Sequence, residues 1–308
     1  MYAYGPVPSR RLGSSLGVSP IPPKTCSYSC VYCQLGRTTR MQIKRESFYP
    51  KEKIFKDITK IVDESTPDYI TFVGDGEPTL CKDLGWLIHE CKESWDIPVA
   101  VITNGSLFFM EDVRQDLMEA DVVLPTLDAG SEELFKKINR PHPGISFEKM
   151  LQGQVDFRHE YSGEIWMEVM LVSGLNDTTE ALTDIKKVLN EIKPDRIYIN
   201  VPIRPPAESW VRIPEPDRIL AAQHILGETV SITGYESGNF NVEEFKDARS
   251  AILEITSRHP LRENQAREIE KKFGEKVVDS MIESSELIRV NYEGKTYLLP
   301  KQFVRGCD

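Results

Sequence analysis

The chain predicts an α/β fold built on a parallel sheet, followed by a small α+β unit, and three observations carry that prediction. Short β-branched runs near residues 69–73, 97–103, 121–127, 164–172 and 196–203 alternate with stretches of helical period. Such βα repetition makes parallel sheets, closed as an open partial barrel or laid out as a doubly wound sheet. From residue 241 the strand pattern stops, and the length of 308 residues leaves room for a second unit over 241–308 after a first over 1–240.

Residues 5–23 are rich in Gly, Pro and Ser, interrupted by Ser15–Ser19, a short apolar alternation that reads as the first strand. Next come Cys26, Cys30 and Cys33, half of the six cysteines within eight residues. Thiols spaced C-x-x-x-C-x-x-C can converge from one tight loop on a soft-metal centre, either zinc or an iron–sulfur cluster. A structural zinc site requires four ligands, whereas Cys81, Cys91 and Cys307 are scattered. Three ligands leave one position open for a substrate or cosubstrate, which reads as catalytic.

Helices follow between the strands. Ile54, Phe55, Ile58, Ile61 and Val62 share one face, with Pro50 where a helix begins. Leu182, Ile185, Val188 and Leu189 do the same after the capping-box-like Asp177-Thr178-Thr179-Glu180. Cys81 and Cys91, beside Leu84, Leu87 and Ile88, read as packing residues. In either sheet architecture ligands bind at the carboxyl ends of the strands. Those positions hold Gly74-Asp75-Gly76-Glu77, Thr103-Asn104-Gly105, Thr126-Leu127-Asp128 and Asn200-Val201-Pro202, with Glu168 inside an apolar strand. A charge there is costly unless it points into the barrel and finds partners.

The cysteine spacing, with Tyr32 before the last cysteine, resembles the signature of radical S-adenosylmethionine (SAM) enzymes, in a branch similar to the wyosine-forming tRNA enzymes. The resemblance covers about residues 1–205 and implies a partial (βα)6 barrel. It also implies that Cys26, Cys30 and Cys33 ligate a [4Fe-4S] cluster whose fourth iron binds SAM. Electron transfer would then split SAM to a 5′-deoxyadenosyl radical that abstracts hydrogen from substrate. The Gly74–Thr79 segment resembles a G-G-E motif whose backbone receives the SAM amino group, with Asp75 in place of the first glycine. By resemblance Asp128 and Glu168 are candidates for the SAM ribose and Asn200 and Val201 for the adenine, while Tyr32, Thr103 and Asn104 complete the cofactor set. Arg204 can bind the SAM carboxylate or substrate, or pair with Glu208. Archaeal wyosine enzymes carry an additional upstream cysteine set, and no cysteine precedes Cys26 here. A tRNA base, a peptide and a phosphorylated small molecule therefore all stand as substrates.

Residues 243–258, 261–273 and 274–285 read as three helices, and the alternation over Leu287–Leu299 turns back around Asn291–Lys295 as a hairpin, an order that looks like a winged helix. Charges over 242–308 are nearly balanced, 12 basic against 13 acidic, and Glu275, Asp279, Glu283 and Glu286 lie on or beside the third helix. A helix meant for a phosphate-lined groove is basic, so a protein contact or a substrate lid is the favoured reading. Cys307 is either an inert tail thiol or one that enters the site as a hydrogen donor or second-cluster ligand.

The net charge of −10 opposes a broad nucleic-acid surface. Residues 1–45 nevertheless carry seven Lys or Arg and no acid. Those cations either neutralise a cluster or steer an anionic substrate or an acidic electron donor of the flavodoxin or ferredoxin type, with Arg10 and Arg11 the expected contacts. No apolar run spans a bilayer and clustered thiols need a reducing compartment, so a cytoplasmic address and no membrane partner are expected. The five histidines lack metal-ligand spacing. The competing reading is a non-enzymatic iron–sulfur redox sensor relaying oxidation to a nucleic-acid-binding end.

Overall fold

The computed structural model describes residues 2–232, 242, 245–258 and 260–301. The first unit opens with β1 (Ala3–Ser9) and β2 (Gly13–Val18), followed by a short ribbon of β3 (Thr25–Cys26) and β4 (Arg40–Met41) around the cysteine loop. Then come α1 (Lys51–Glu64), β5 (Tyr69–Val73), α2 (Leu84–Ser94), β6 (Val99–Ile102), α3 (Glu111–Asp116) and β7 (Val122–Leu124). After them follow α4 (Glu132–Ile138), α5 (Phe147–Glu160), β8 (Glu164–Met170), α6 (Thr179–Ile192), β9 (Arg196–Asn200), α7 (Pro216–Leu226) and β10 (Val230–Ile232).

One eight-stranded sheet runs β1-β2-β5-β6-β7-β8-β9-β10, parallel throughout except for the antiparallel β1, and curls into a half-barrel. The six expected strands are all present, and two more flank them. β1 carries Pro6 and Pro8, which read as loop residues in sequence; a strand at the sheet's edge tolerates them because one side needs no ladder donors. β10 is three residues long, too short for its alternation to register.

Alternation divides each strand between two faces. In β8, Ile165, Met167 and Val169 pack outward in the main core under the helices, while Trp166, Glu168 and Met170 face inward. Leu124, Trp166 and Tyr198 fill the barrel interior on the β7–β9 side. On the β2–β5 side the inward residues are the small Ser15, Gly17 and Thr71, and a cavity remains there. Cys81 and Cys91 are buried in the apolar core, as their sequence context indicates.

The C-terminal unit comprises α8 (Ala248–Arg258), β11 (Leu261–Arg262), α9 (Glu263–Phe273), α10 (Val278–Glu283) and the hairpin β12 (Leu287–Tyr292)–β13 (Lys295–Pro300). Glu293 and Gly294 both have positive φ, which suits a two-residue turn to the twist of its strands. β11 adds a third, antiparallel strand that a two-residue segment could not announce. The expected third helix is shorter than 274–285, and its acidic neighbours hold structure together. Glu275 caps α8 through the Ala248 N–H, Asp279 pairs with Arg267, and Glu270 accepts the Val277 and Val278 N–H groups at 2.6 Å each.

The unit has its own apolar core around Ala251, Ile252, Ile269, Met281 and Leu298. It is seated on the barrel rim by two buried hydroxyls. Tyr292 Oη donates to the Pro202 carbonyl and Tyr297 Oη to the Ile203 carbonyl, both at 2.7 Å, just past the end of β9. A buried carbonyl stripped of its donor costs about 1–3 kcal/mol. The double substitution Tyr292→Phe/Tyr297→Phe is therefore expected to speed amide hydrogen exchange through β12 and β13 at least tenfold. Unchanged protection would show that these contacts do not hold the unit in place.

Candidate functional site

The carboxyl ends of the strands open into a cavity of about 330 Å³, with the cysteine loop as one wall. The loop's shape follows from backbone pairing. Cys33 N–H donates to the Cys30 carbonyl at 3.1 Å, Gln42 N–H to Cys26 at 3.1 Å, and Val31 N–H to Ile138 at 2.9 Å. Gly76 lets the loop approach β5: a Cβ there would sit 1.8 Å from the Thr25 carbonyl oxygen, and the next residue's N–H donates to that same oxygen at 3.0 Å. Cys26, Cys30 and Cys33 all line the cavity as free thiols.

Glu77 fastens this arrangement. Its carboxylate is fully buried and accepts from Thr79 N–H at 3.1 Å, from the Thr79 and Thr103 hydroxyls at 2.6 Å each, and from Asn104 N–H at 2.7 Å. Burial pushes its carboxyl upward, and those hydrogen bonds oppose the shift. Glu77 thereby joins the ends of β5 and β6. Asn104, held by it, donates through Nδ2 to Ser27 Oγ at 2.9 Å and lies 3.6 Å from Cys26 Sγ.

The inward strand ends supply the opposite wall. Glu168 pairs with Arg11 and accepts from Asn200 Nδ2 at 3.0 Å. Val201 and Thr103 complete the lining, together with the Gly74-Asp75-Gly76 backbone. Arg204 reaches Gln34 Oε1 at 2.8 Å, while Glu208, one of its three alternative partners, is gripped by Arg37 and Arg140 in a cross-loop clamp. Arg10 donates to the Ile232 carbonyl at 2.8 Å. Arg10 and Arg11, the contacts expected for a substrate or partner, both stand in the cavity wall. Other cations of the basic flank are likewise engaged: Arg40 with Glu46, and Arg45 with Asp112 and Asp116.

Asp128 lies behind the wall. Its carboxylate is 2 % exposed and accepts from Tyr32 Oη at 2.5 Å, Asn139 Nδ2 at 2.7 Å and Met170 N–H at 2.8 Å. Burial raises its pKa to about 6, against the pull of those donors. Through Tyr32 it is tied to the cysteine loop. Asn139, which the sequence reading missed, lies 3.6 Å from Cys30 Sγ; a lone Asn after a helix offers no signal in sequence. Cys307 lies outside the described residues.

The donor set fits an iron–sulfur cluster. Burial, with Glu77 adding, pushes the Cys26 thiol up to about 12; burial and the nearby Asp128 carboxyl push Cys30 well up; and burial raises Cys33. Such thiols give up their protons only to a strongly positive partner, which bound iron is. Among the described residues no three Cys, His, Asp or Glu side chains are placed to hold one metal ion together. Each thiolate of a cluster binds its own iron, so a single focal point is not what a cluster requires. Amide donors beside Cys26 and Cys30 supply the polar contacts that tune cluster sulfurs. Two buried atoms of the opposite wall, Arg11 Nε and Asn200 Oδ1, have no hydrogen-bond partner among the described residues, as expected of groups awaiting a polar ligand.

Comparison with known proteins agrees with this geometry. Residues 21–185 match the radical SAM superfamily. Over 306 residues the chain is 39 % identical to the UPF0026 protein MJ1312 of Methanocaldococcus jannaschii, covering 96 % of this chain and 95 % of that one. A UPF0026 protein of Helicobacter pylori J99 is 30 % identical over 85 % of this chain and 86 % of its own. A radical SAM methyltransferase from Sphaerobacter thermophilus shares the fold with a TM-score of 0.52 at 16 % identity, over 73 % of this chain and 67 % of that one. The chain belongs to the radical SAM superfamily, whose enzymes use a [4Fe-4S] cluster and SAM.

Proposed function

We propose that the protein is a radical SAM enzyme that cleaves SAM reductively at the cavity ringed by Cys26, Cys30 and Cys33, and abstracts hydrogen from a substrate bound beside it. The observation that carries the reading is the meeting, in one cavity, of the three thiols, the Gly74–Gly76 backbone and the inward Glu168–Asn200 pair. Enzymes of this kind draw their electron from an external reductant, here taken to be of flavodoxin or ferredoxin type. Family membership sets aside the non-enzymatic sensor.

When bound, the cluster and SAM supply one-electron cleavage that yields a hydrogen-abstracting radical. The chain's own residues position and shield. Cys26, Cys30 and Cys33 would hold the cluster through its irons. The Gly74-Asp75-Gly76 backbone and Asn104 would receive the methionyl end of SAM. Glu168, Asn200 and Val201 would face its nucleoside, with Glu168 held in place by its pairing with Arg11. Asp128 and Tyr32 act as positioning residues for the loop. The C-terminal unit, set on the rim by Tyr292 and Tyr297, excludes water from the mouth, which protects radical chemistry from quenching.

Anaerobic reconstitution with iron and sulfide, dithionite reduction and assay for 5′-deoxyadenosine test the reading. Wild type is expected to form it, and Cys26→Ala, Cys30→Ala and Cys33→Ala to lose activity at least a hundredfold. Wild-type protein that takes up iron yet never cleaves SAM would refute it. Gly76→Ala drives a Cβ into the Thr25 backbone, so the loop must shift. This variant should keep less than about half the wild-type iron while remaining folded, as the cost of such overpacking is about 1–3 kcal/mol. Iron content equal to wild type would show that the close approach is dispensable.

A further inference from the structure

The small inward residues of β2 and β5 leave a second compartment of about 220 Å³ beside the cysteine-lined cavity. The two share Arg11, Gln34, Gly74 and Asp75 in their walls, so whatever occupies the second lies next to whatever occupies the first. Its floor comes from the barrel: Ser15, Gly17 and Thr71, with the Tyr4 ring laid so closely over Gly17 that a Cβ there would sit 2.4 Å from the ring. Its roof comes from the C-terminal unit, through Glu254, Ile255 and Arg258 of α8.

Arg258 fixes that roof. It reaches the Asp75 carboxylate at 3.4 Å, with both side chains nearly buried, and its guanidinium carbon lies 4.5 Å from the Tyr4 ring centroid. Its carbonyl accepts from Gln34 Nε2 at 3.2 Å, one residue beyond the last cysteine of the loop. Asp75 is the residue that stands where the resemblance places a glycine. Its carboxylate serves as the receptor for α8, while its backbone carbonyl accepts the Lys24 N–H at 2.6 Å. The second unit is thus a wall of the site.

Four arginines stand among the described lining residues. Arg10, Arg11, Arg204 and Arg258 all contribute, against Asp75 and Glu254. Arg11 is common to both cavities, one of its terminal nitrogens is committed to Glu168, and its Nε is buried with no acceptor among the described residues. A buried guanidinium N–H with no acceptor costs free energy that an oxyanion would recover, and Arg offers planar, paired donors suited to carboxylate or phosphate. We propose that this compartment is the substrate site and that it takes a small molecule bearing a carboxylate or phosphate, anchored at Arg11 and enclosed by α8. The proposal rests on the SAM site argued above. It favours a metabolite over tRNA, because a 220 Å³ chamber roofed by α8 holds a few rings or chain atoms and not a folded polymer.

Isothermal titration of the reconstituted protein with inorganic phosphate and, separately, with malonate tests the proposal, with and without SAM. At least one anion is expected to bind at one per chain, and the stronger of the two tells phosphate from carboxylate. Arg11→Gln should weaken that binding about tenfold or more. Ile255→Trp fills the chamber from the roof without touching the Arg11–Glu168 pair. It should weaken anion binding to a similar degree while iron content and melting temperature stay at wild-type values. Failure of both anions to bind, or binding that neither variant weakens, would overturn the proposal. So would displacement of the anion by bulk tRNA at micromolar concentration with an affinity that Ile255→Trp leaves unchanged. Absence of SAM binding would bring down the SAM site alone, since the anion titration is read independently of SAM.

Discussion

A buried carboxylate satisfied by neutral donors underlies the site. Glu77 accepts from the two hydroxyls and two backbone N–H groups nearest it, and its own N–H reaches the cysteine loop through Thr25. Low local polarity makes each of those bonds strong and makes any missing one expensive. The ends of β5 and β6 and the entry to the loop are therefore fixed relative to one another before any cofactor is considered. Asp128 repeats the device on the far side, joining Tyr32 of the loop, Asn139 after α4 and the end of β8. The thiols sit between two buried carboxyl clamps.

Much of this was legible in the sequence because it depends on local signals. The six parallel strands show as β-branched runs, the loop as a spacing of three cysteines, and the strand-end residues follow from the rule that ligands gather there. What escaped depends on contacts made across long separations. Nothing near Glu77 in sequence tells that its carboxylate is occupied by Thr79, Thr103 and Asn104, or near Asp128 that its oxygens are taken up by Tyr32, Asn139 and the Met170 N–H. β1 was hidden by its prolines, and β11 by its length.

The charge distribution shows the same limit. An acid-free run of 45 residues in an acidic protein reads as a field directed at a partner. In the fold, Arg11, Arg37, Arg40 and Arg45 draw carboxylates from distant segments: Glu168, Glu208, Asp112 and Asp116, with only Glu46 close by in sequence. The cations act chiefly as staples that hold the loop region to the barrel. Their strongest residual expression is inward, at the wall shared by the two cavities.

Tyr292 and Tyr297 place their hydroxyls on the two carbonyls that follow directly after Asn200 and Val201. The segment that ends the last of the six barrel strands is therefore completed by atoms nearly a hundred residues away. This makes the C-terminal unit a poor candidate for exchange or removal as a module. A barrel cut free of it would carry bare acceptors at its own rim, and a different unit grafted there would have to reproduce both hydroxyls as well as the guanidinium that meets Asp75. Inheritance of the two parts together follows from that shared edge, and the relative in Methanocaldococcus jannaschii aligns along nearly the whole length of both.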